Sequence, residues 1–247
     1  MPEKIRLDQL LVDRGLVESR TRAQAVIMAG LVYSGERKLT SAGAKLPPEA
    51  AVTLRGQDHP WVSRGGLKLD HGLRHFGFGA RGRTCIDVGA STGGFTDVLL
   101  AHGAAKVYAV DVGYGQLAHK LRTDPRVVVL ERTNARTLDR ALIPDPVGAV
   151  VCDASFIGLR TVLPAALALT TSDAWLIALI KPQFEVGKER VGKKGVVREP
   201  ALHEEVCAAI AAWLAEQPGW TVAGIEKSPI TGPEGNVEFL IGATREL

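Results

Sequence analysis

Apolar and polar positions follow two different periods along this chain. Near the amino end the period is helical: Leu7, Leu10 and Leu11 fall on one face, and Ala23, Val26 and Ile27 on another. Gly15 stands where the first helix would end. Ser19 stands where a second would be capped, and Gly30 where it would stop. LVYSGE then reads as a strand and turn, and residues 52–54 as a short strand after the break at Pro47 and Pro48. From Arg83 onward the pattern changes to short, almost continuous apolar runs: TCIDVG, KVYAVDV, RVVVLE, GAVVCDAS and AWLIALIK. Helices are predicted from about residue 94 and over about 200–216, the latter with Val206, Ile210, Trp213 and Leu214 on one face. WTVAGIEKS and NVEFLIGAT, joined by a tight GPEGN link, predict an antiparallel hairpin at one edge. Strands alternating with helices predict a mostly parallel, doubly wound α/β sheet of the Rossmann-like kind.

The change of period divides the chain. Residues 1–58 form a small α+β module, 59–66 a linker, and 67–247 the sheet domain. Within HPWVSRGGLKL, Trp61 and Val62 could pack on either side, Ser63, Arg64, Gly65 and Gly66 read as a hinge, and Lys68, Leu69, Leu73 and Phe76 begin a helix. Charge adds a direction. The net +3 divides into +2 over residues 1–60, +4 over 61–83 and −3 over the rest. A basic front on a near-neutral body suits a polyanion, although a solvated charged surface gives the same count. The amino end has no apolar signal core, and AWLIALI is far too short to span a bilayer, so a cytoplasmic protein is expected. Cys85, Cys152 and Cys207 lack CxxC spacing and read as reduced thiols; no metal is expected.

Candidate chemistry gathers at strand ends, where open α/β sheets bind ligands. Asp153 ends one apolar run, Lys181 ends another, and Glu238 sits inside NVEFLIG. With Lys68 they give two ammoniums and two carboxylates able to tune one another and handle a proton. Lys68 taken alone reads as a surface lysine, and Asp153 alone as a strand-end cap. The first strand ends in DVGASTGGF, whose Gly89, Ser91, Gly93, Gly94 and Phe95 lead into a helix amino terminus. This is not the dinucleotide fingerprint, because Asp87 precedes the loop and would repel a pyrophosphate. Asp87 could meet an ammonium, and Asp111, at the end of the next strand, a ribose diol. S-adenosylmethionine has both groups and no phosphate. Phe95 reads better as core, and Asn134 as an adenine contact or a turn former.

Two resemblances sharpen this picture. RLDQLLVDRG…SRTRAQAVIMAGLVYSG resembles the small RNA-binding module named after a ribosomal small-subunit protein, which implies Arg20 and Arg22 as RNA contacts; Arg14, crowded with them around the inter-helix turn, is a further candidate. WVSRGGLKL, DVGASTGGFTD, VYAVDVGYGQL, ERTNAR, CDASFI, LIKPQFE, GVVREP and GNVEFL resemble the TlyA family, whose catalytic half is similar to the FtsJ group. The resemblance implies methyl transfer from S-adenosylmethionine to the 2′-oxygen of a cytidine in ribosomal RNA within ribosomal subunits. It implies Lys68, Asp153, Lys181 and Glu238 as a catalytic tetrad. Lys181 would take the proton or stabilise the alkoxide, Asp153 orient it, Glu238 position Lys181 and the ribose, and Lys68 hold the 2′-oxygen. A lysine base must be neutral; desolvation and Lys68 lower its pKa while the acids raise it, and the sequence leaves that balance open. The segment 183–199, with Lys188, Arg190, Lys193, Lys194 and Arg198, reads as a mobile RNA clamp, and Arg64 as a further RNA contact. In the TlyA family a shorter form is associated with large-subunit RNA alone, so the resemblance implies large-subunit RNA for a chain that ends soon after its last strand; a monomer is expected. The rival readings are a pore-forming haemolysin and an RNA-binding protein with an inactive methyltransferase fold.

Overall fold

A computed structural model describes residues 4–17, 19–55, 59–192, 195–232 and 235–246. The chain divides into two compact units, Met1–Pro60 and Trp61–Leu247. The first holds β1 (Ile5–Arg6), α1 (Leu7–Asp13), α2 (Arg20–Met28), β2 (Val32–Ser34), β3 (Arg37–Lys38), β4 (Lys45–Leu46) and β5 (Thr53–Leu54). The two helices bury Leu7, Leu10, Leu11, Ala23, Val26 and Ile27 against Val32, Leu39 and Val52. Ser19 Oγ accepts the Arg22 N–H at 3.2 Å and caps α2. Both helices end in one backbone motif: Gly15 N–H donates to Val12 O and Leu16 N–H to Leu11 O, and Gly30 and Leu31 repeat it on Ile27 and Val26. β1, β3 and β4 were not expected; two residues are too few to display a period.

The second unit holds α3 (Gly65–Phe76), β6 (Thr84–Val88), α4 (Gly94–Ala101), β7 (Lys106–Val110), α5 (His119–Arg122), β8 (Val127–Leu130), β9 (Val147–Cys152), α6 (Leu159–Val162), α7 (Pro164–Ala168), β10 (Thr170–Ile180), α8 (Pro182–Glu185), α9 (Pro200–Ala215), β11 (Trp220–Lys227) and β12 (Phe239–Arg245). Its strands run in the order β11-β12-β10-β9-β6-β7-β8. Five are parallel, and β12 is antiparallel to both neighbours. Alternate strand residues feed two cores, which is why the runs are apolar throughout. Ile86, Val150, Leu176 and Ile241 meet Val206, Ile210 and Leu214 of α9. Cys85, Val151, Ile177 and Leu240 meet Leu69 and Leu73 of α3 and Val98 and Leu99 of α4.

Two expectations change here. Lys227 is the last residue of β11 to pair, with Phe239, so the hairpin connection runs over residues 228–238, and Gly232 N–H donates to Asn236 O at 2.9 Å across the expected GPEGN link. Glu238 therefore lies just before β12 rather than within a strand. Residues 61–66 are not an open hinge. Trp61 and Val62 pack in the second unit's core, Val62 N–H donates to Asp97 Oδ2 at 2.8 Å, and Gly65 and Gly66 form the first turn of α3. A Cβ on Gly66 would overlap the Trp61 side chain.

The cysteines are free, and burial pushes Cys85 and Cys152 up to about 12 and Cys207 up to about 11. Among the described residues no helix is long and apolar enough to cross a membrane.

Candidate active site

The antiparallel direction of β12 builds the site. Its first residue, Phe239, pairs with Ile180, the last of β10, so Glu238 falls at the edge where β9 and β10 deliver Asp153 and Lys181. Lys68 reaches the same edge from the first turns of α3, held there by Leu69 and Leu73. All four line one cavity of about 700 Å³, and Lys68, Lys181 and Glu238 are buried. Lys68 Nζ donates to Glu238 Oε2 at 2.6 Å and lies 3.5 Å from Asp153 Oδ2. Lys181 Nζ donates to Asp153 O at 3.0 Å and Ser155 Oγ at 2.9 Å. Its ion pair with Asp153 Oδ1 is short, 2.6 Å, but lacks hydrogen-bond angles. Asp153 thus bridges the lysines, while Glu238, expected on Lys181, sits on Lys68.

The glycine-rich loop forms another wall, through Gly89, Ala90, Ser91, Thr92, Gly94 and Phe95. Its glycines serve the chain itself. Gly89 has φ 82, and a Cβ there would come within 2.9 Å of the Ala154 backbone. Gly93 has φ 95, and its Cβ would strike Leu117 and Leu121. A Cβ on Gly94 would strike Ser63. Close internal packing is a requirement the structure displays at each of the three. Phe95 is core as well as wall.

Asp87 lies outside the cavity lining, buried between β6 and α4. Its Oδ2 accepts from Thr96 Oγ1 at 2.7 Å, and its Oδ1 has no hydrogen-bond partner. Burial pushes its pKa up to about 7, against the pull of the Thr96 hydrogen bond. Asp111 stands at the end of β7 beside a smaller recess with Ser91, Gly113, Gln116 and Glu131. Its carboxylate accepts the Ser91 and Gly113 N–H groups, each at 2.7 Å. Asn134 is the turn former: its Oδ1 accepts from the Arg136 N–H at 3.1 Å, and it lines neither recess nor cavity.

Several side chains at the site carry no assignment from the sequence. Ser155 holds Lys181; Glu131 borders the Asp111 recess; Phe156 stands at the cavity wall, 90% exposed and at φ 66. Phe184 faces Phe156 with ring centroids 5.2 Å apart. Glu185 Oε1 accepts the Leu159 N–H at 2.7 Å and so ties α8 to the loop carrying Ser155 and Phe156. The available signal was an apolar residue directly after a strand-end Asp-Ala-Ser, outside any periodic run.

Comparison with known proteins bears on this arrangement. Residues 61–245 match the FtsJ-like methyltransferase family, and residues 5–52 match the S4 domain. The chain is 49% identical over 242 residues to the 16S/23S rRNA (cytidine-2′-O)-methyltransferase TlyA of Mycobacterium tuberculosis, covering 98% of this chain and 90% of that one. The chain belongs to the TlyA family of FtsJ-like methyltransferases. A candidate rRNA methyltransferase of Bacillus subtilis, YqxC, is 48% identical over 241 residues, with 97% and 85% covered. Among solved structures, a candidate hemolysin from Streptococcus thermophilus superposes with a TM-score of 0.78 at 40% identity, over 100% of this chain and 90% of that one.

In this TlyA-family chain the basic residues expected on RNA are variously engaged. Arg14 donates to Ala50 O at 2.6 Å and to Pro48 O. Arg20 pairs at 3.1 Å with Asp8, a fully buried acid whose pKa its hydrogen bonds to Arg6, Gln24 and Arg20 hold well below the usual range. Arg22 is half-buried. Arg64 lines the cavity and donates to Thr231 O at 2.8 Å. Arg190 grips Glu205 at 2.5 and 2.6 Å. Buried Asn236 accepts the Val197 N–H at 3.0 Å and donates to Gly195 O at 2.9 Å, so the expected mobile clamp is pinned in its described parts. Lys188 belongs to a short helical turn, and Lys193 and Lys194 lie outside the described residues.

Proposed function

We propose that this protein transfers a methyl group from S-adenosylmethionine to the 2′-oxygen of a cytidine ribose in ribosomal RNA, in the cytoplasm. The observation that carries the reading is the pair of bridged lysines at the carboxyl edge of the sheet, inside one cavity with the glycine-rich loop. Family membership supports the same chemistry, and the S4 domain supports an RNA partner. The site residues fit the cofactor. Asp111 keeps acceptor capacity for a diol beside the recess, and the buried, unpartnered oxygen of Asp87 lies beneath the loop where a positive charge is expected. A pyrophosphate would meet the Asp111 carboxylate unfavourably. When bound, S-adenosylmethionine supplies an electrophilic methyl group.

The protein's part is to place the 2′-oxygen and manage its proton. Lys181, fixed by Asp153 O and Ser155 Oγ, takes that proton or stabilises the emerging alkoxide. Asp153 orients Lys181 and holds a compensating charge between both lysines. Lys68, held by Glu238, faces the same oxygen. Phe156 and Phe184 offer ring faces on which the target base can stack. Arg22 and the basic residues of 188–194 are assigned to RNA backbone.

The test is transfer of labelled methyl to purified ribosomal subunits. Label should appear on ribose of one subunit's RNA, the large subunit being the expected one. Lys181→Ala should slow transfer by about 10²–10⁴-fold. Unchanged transfer in that variant would remove Lys181 from the mechanism. No transfer to either subunit by a protein that binds the cofactor would favour an RNA-binding protein with an inactive fold.

A further inference from the structure

Away from the cavity, α3 and the edge strand β11 bring together three groups that chelate metals. His71 and His75 stand four residues apart on α3, hence on one helix face, and Glu226 belongs to β11. His71 Nε2 lies 3.3 Å from Glu226 Oε1, and His75 Nδ1 lies 3.8 Å from Glu226 Oε2. One ligand atom from each residue falls within 4.8 Å of the other two. The imidazoles are nearly parallel, 26° apart, with centroids separated by 6.0 Å.

We propose that His71, His75 and Glu226 bind a divalent transition-metal cation of the zinc class, which staples α3 to β11. Bonds of about 2.0 Å in a tetrahedron put neighbouring ligand atoms about 3.3 Å apart, so both measured N–O separations are within a small side-chain adjustment of a closed site. Two imidazole nitrogens and one carboxylate oxygen select zinc, cobalt or nickel over magnesium and calcium, which take oxygen ligands. The three side chains are about one-third to two-fifths exposed, which leaves a way in for the ion and a fourth position for water.

The scaffold beneath is already set. Phe76, next to His75, occupies the space over Gly242 of β12, where a Cβ would come within 2.7 Å of its ring. The His75 ring meets Phe76 edge-on at 4.8 Å. Lys68 lies one turn before His71 on the same helix, so the ion would fasten the helix that delivers a lysine to the cavity without entering that cavity. Without an ion, the same contacts are partly exposed pairs of small energetic worth.

The test uses untagged, full-length, chelator-treated protein titrated with zinc in competition with a chromogenic chelator. Cobalt is titrated in parallel, because its visible absorption intensifies in four-coordinate sites. One equivalent per chain is expected, with the tetrahedral cobalt signature. His71→Ala and His75→Ala should each weaken zinc binding by about tenfold or more, while Cys207→Ser leaves it unchanged. All three positions are partly exposed, so the variants should fold, and far-UV circular dichroism verifies this. His71→Asn gives the same readout with a polar side chain retained. Absence of stoichiometric binding, or equal binding in the histidine variants and the wild type, overturns the proposal.

Discussion

Lys68 and Glu238 offer a direct measure of how much the candidate site costs the fold. Glu238 is 2% exposed, and among the described residues no side chain other than Lys68 donates to its carboxylate. Lys68 has a second acid, Asp153, at 3.5 Å. Lys68→Met leaves a buried carboxylate alone and should cost about 3–5 kcal/mol, as breaking a buried pair does. Glu238→Gln keeps the volume and leaves Lys68 near Asp153, so about 1–3 kcal/mol is expected. The double variant removes both charges together, and its loss should fall short of the sum by about 1–3 kcal/mol. Urea unfolding followed by tryptophan fluorescence is the assay. Trp61, Trp175, Trp213 and Trp220 are all the tryptophans, and all lie in the second unit, so the signal reports on that unit alone. A Lys68→Met cost of about 0.5 kcal/mol or less, typical of a surface change, would refute the reasoning. So would additivity within about 0.5 kcal/mol.

Further outcomes follow from other residues. Asp87, with its pKa raised to about 7, keeps a proton in the folded state that the unfolded chain releases near pH 4. Stability should therefore fall as pH rises between about 4 and 7, by up to about 4 kcal/mol, and Asp87→Asn should flatten that slope in urea midpoints. An unchanged slope would assign the dependence to another group. Gly93→Ala should cost about 1–3 kcal/mol by the same assay, because φ is 95 and a Cβ strikes Leu117 and Leu121. Phe156→Ala should leave stability within about 0.5 kcal/mol but raise KM for the ribosomal subunit, since stacking on one base is worth about 1–3 kcal/mol. An unmoved KM would remove Phe156 from substrate contact.

Much of the architecture was legible because burial writes itself into periodicity. Every strand from β6 to β10 appeared as an apolar run, since helices cover both faces of the sheet and leave no polar alternation. Gly15, Ser19 and Gly30 marked helix ends for local reasons: one caps a helix with its hydroxyl, and two reverse the backbone. What periodicity misses is equally physical. Two-residue strands have no period, and Pro-led turns such as α7 and α8 are too short to show a face. The glycine loop was legible as glycine but not as packing. Its apparent openness is filled by Ala154, Leu117, Leu121 and Ser63, residues distant in sequence that no local reading places there.

By itself, the sequence determined the longer helices and strands, the two-part organisation and the polar residues Asp153 and Lys181 at strand ends, because helix and strand periods and end signals are local properties of the chain. The tertiary structure alone decided the partnerships. Lys68 and Glu238 are 170 residues apart and meet because β12 inserts beside β10 in the antiparallel sense. The same insertion moved Glu238 from Lys181 to Lys68, left Asp153 to bridge both lysines, and set Glu226 against His71 across 155 residues. Strand order and direction are chosen by how the whole set of apolar faces can be buried at once, and that is a property of no single segment.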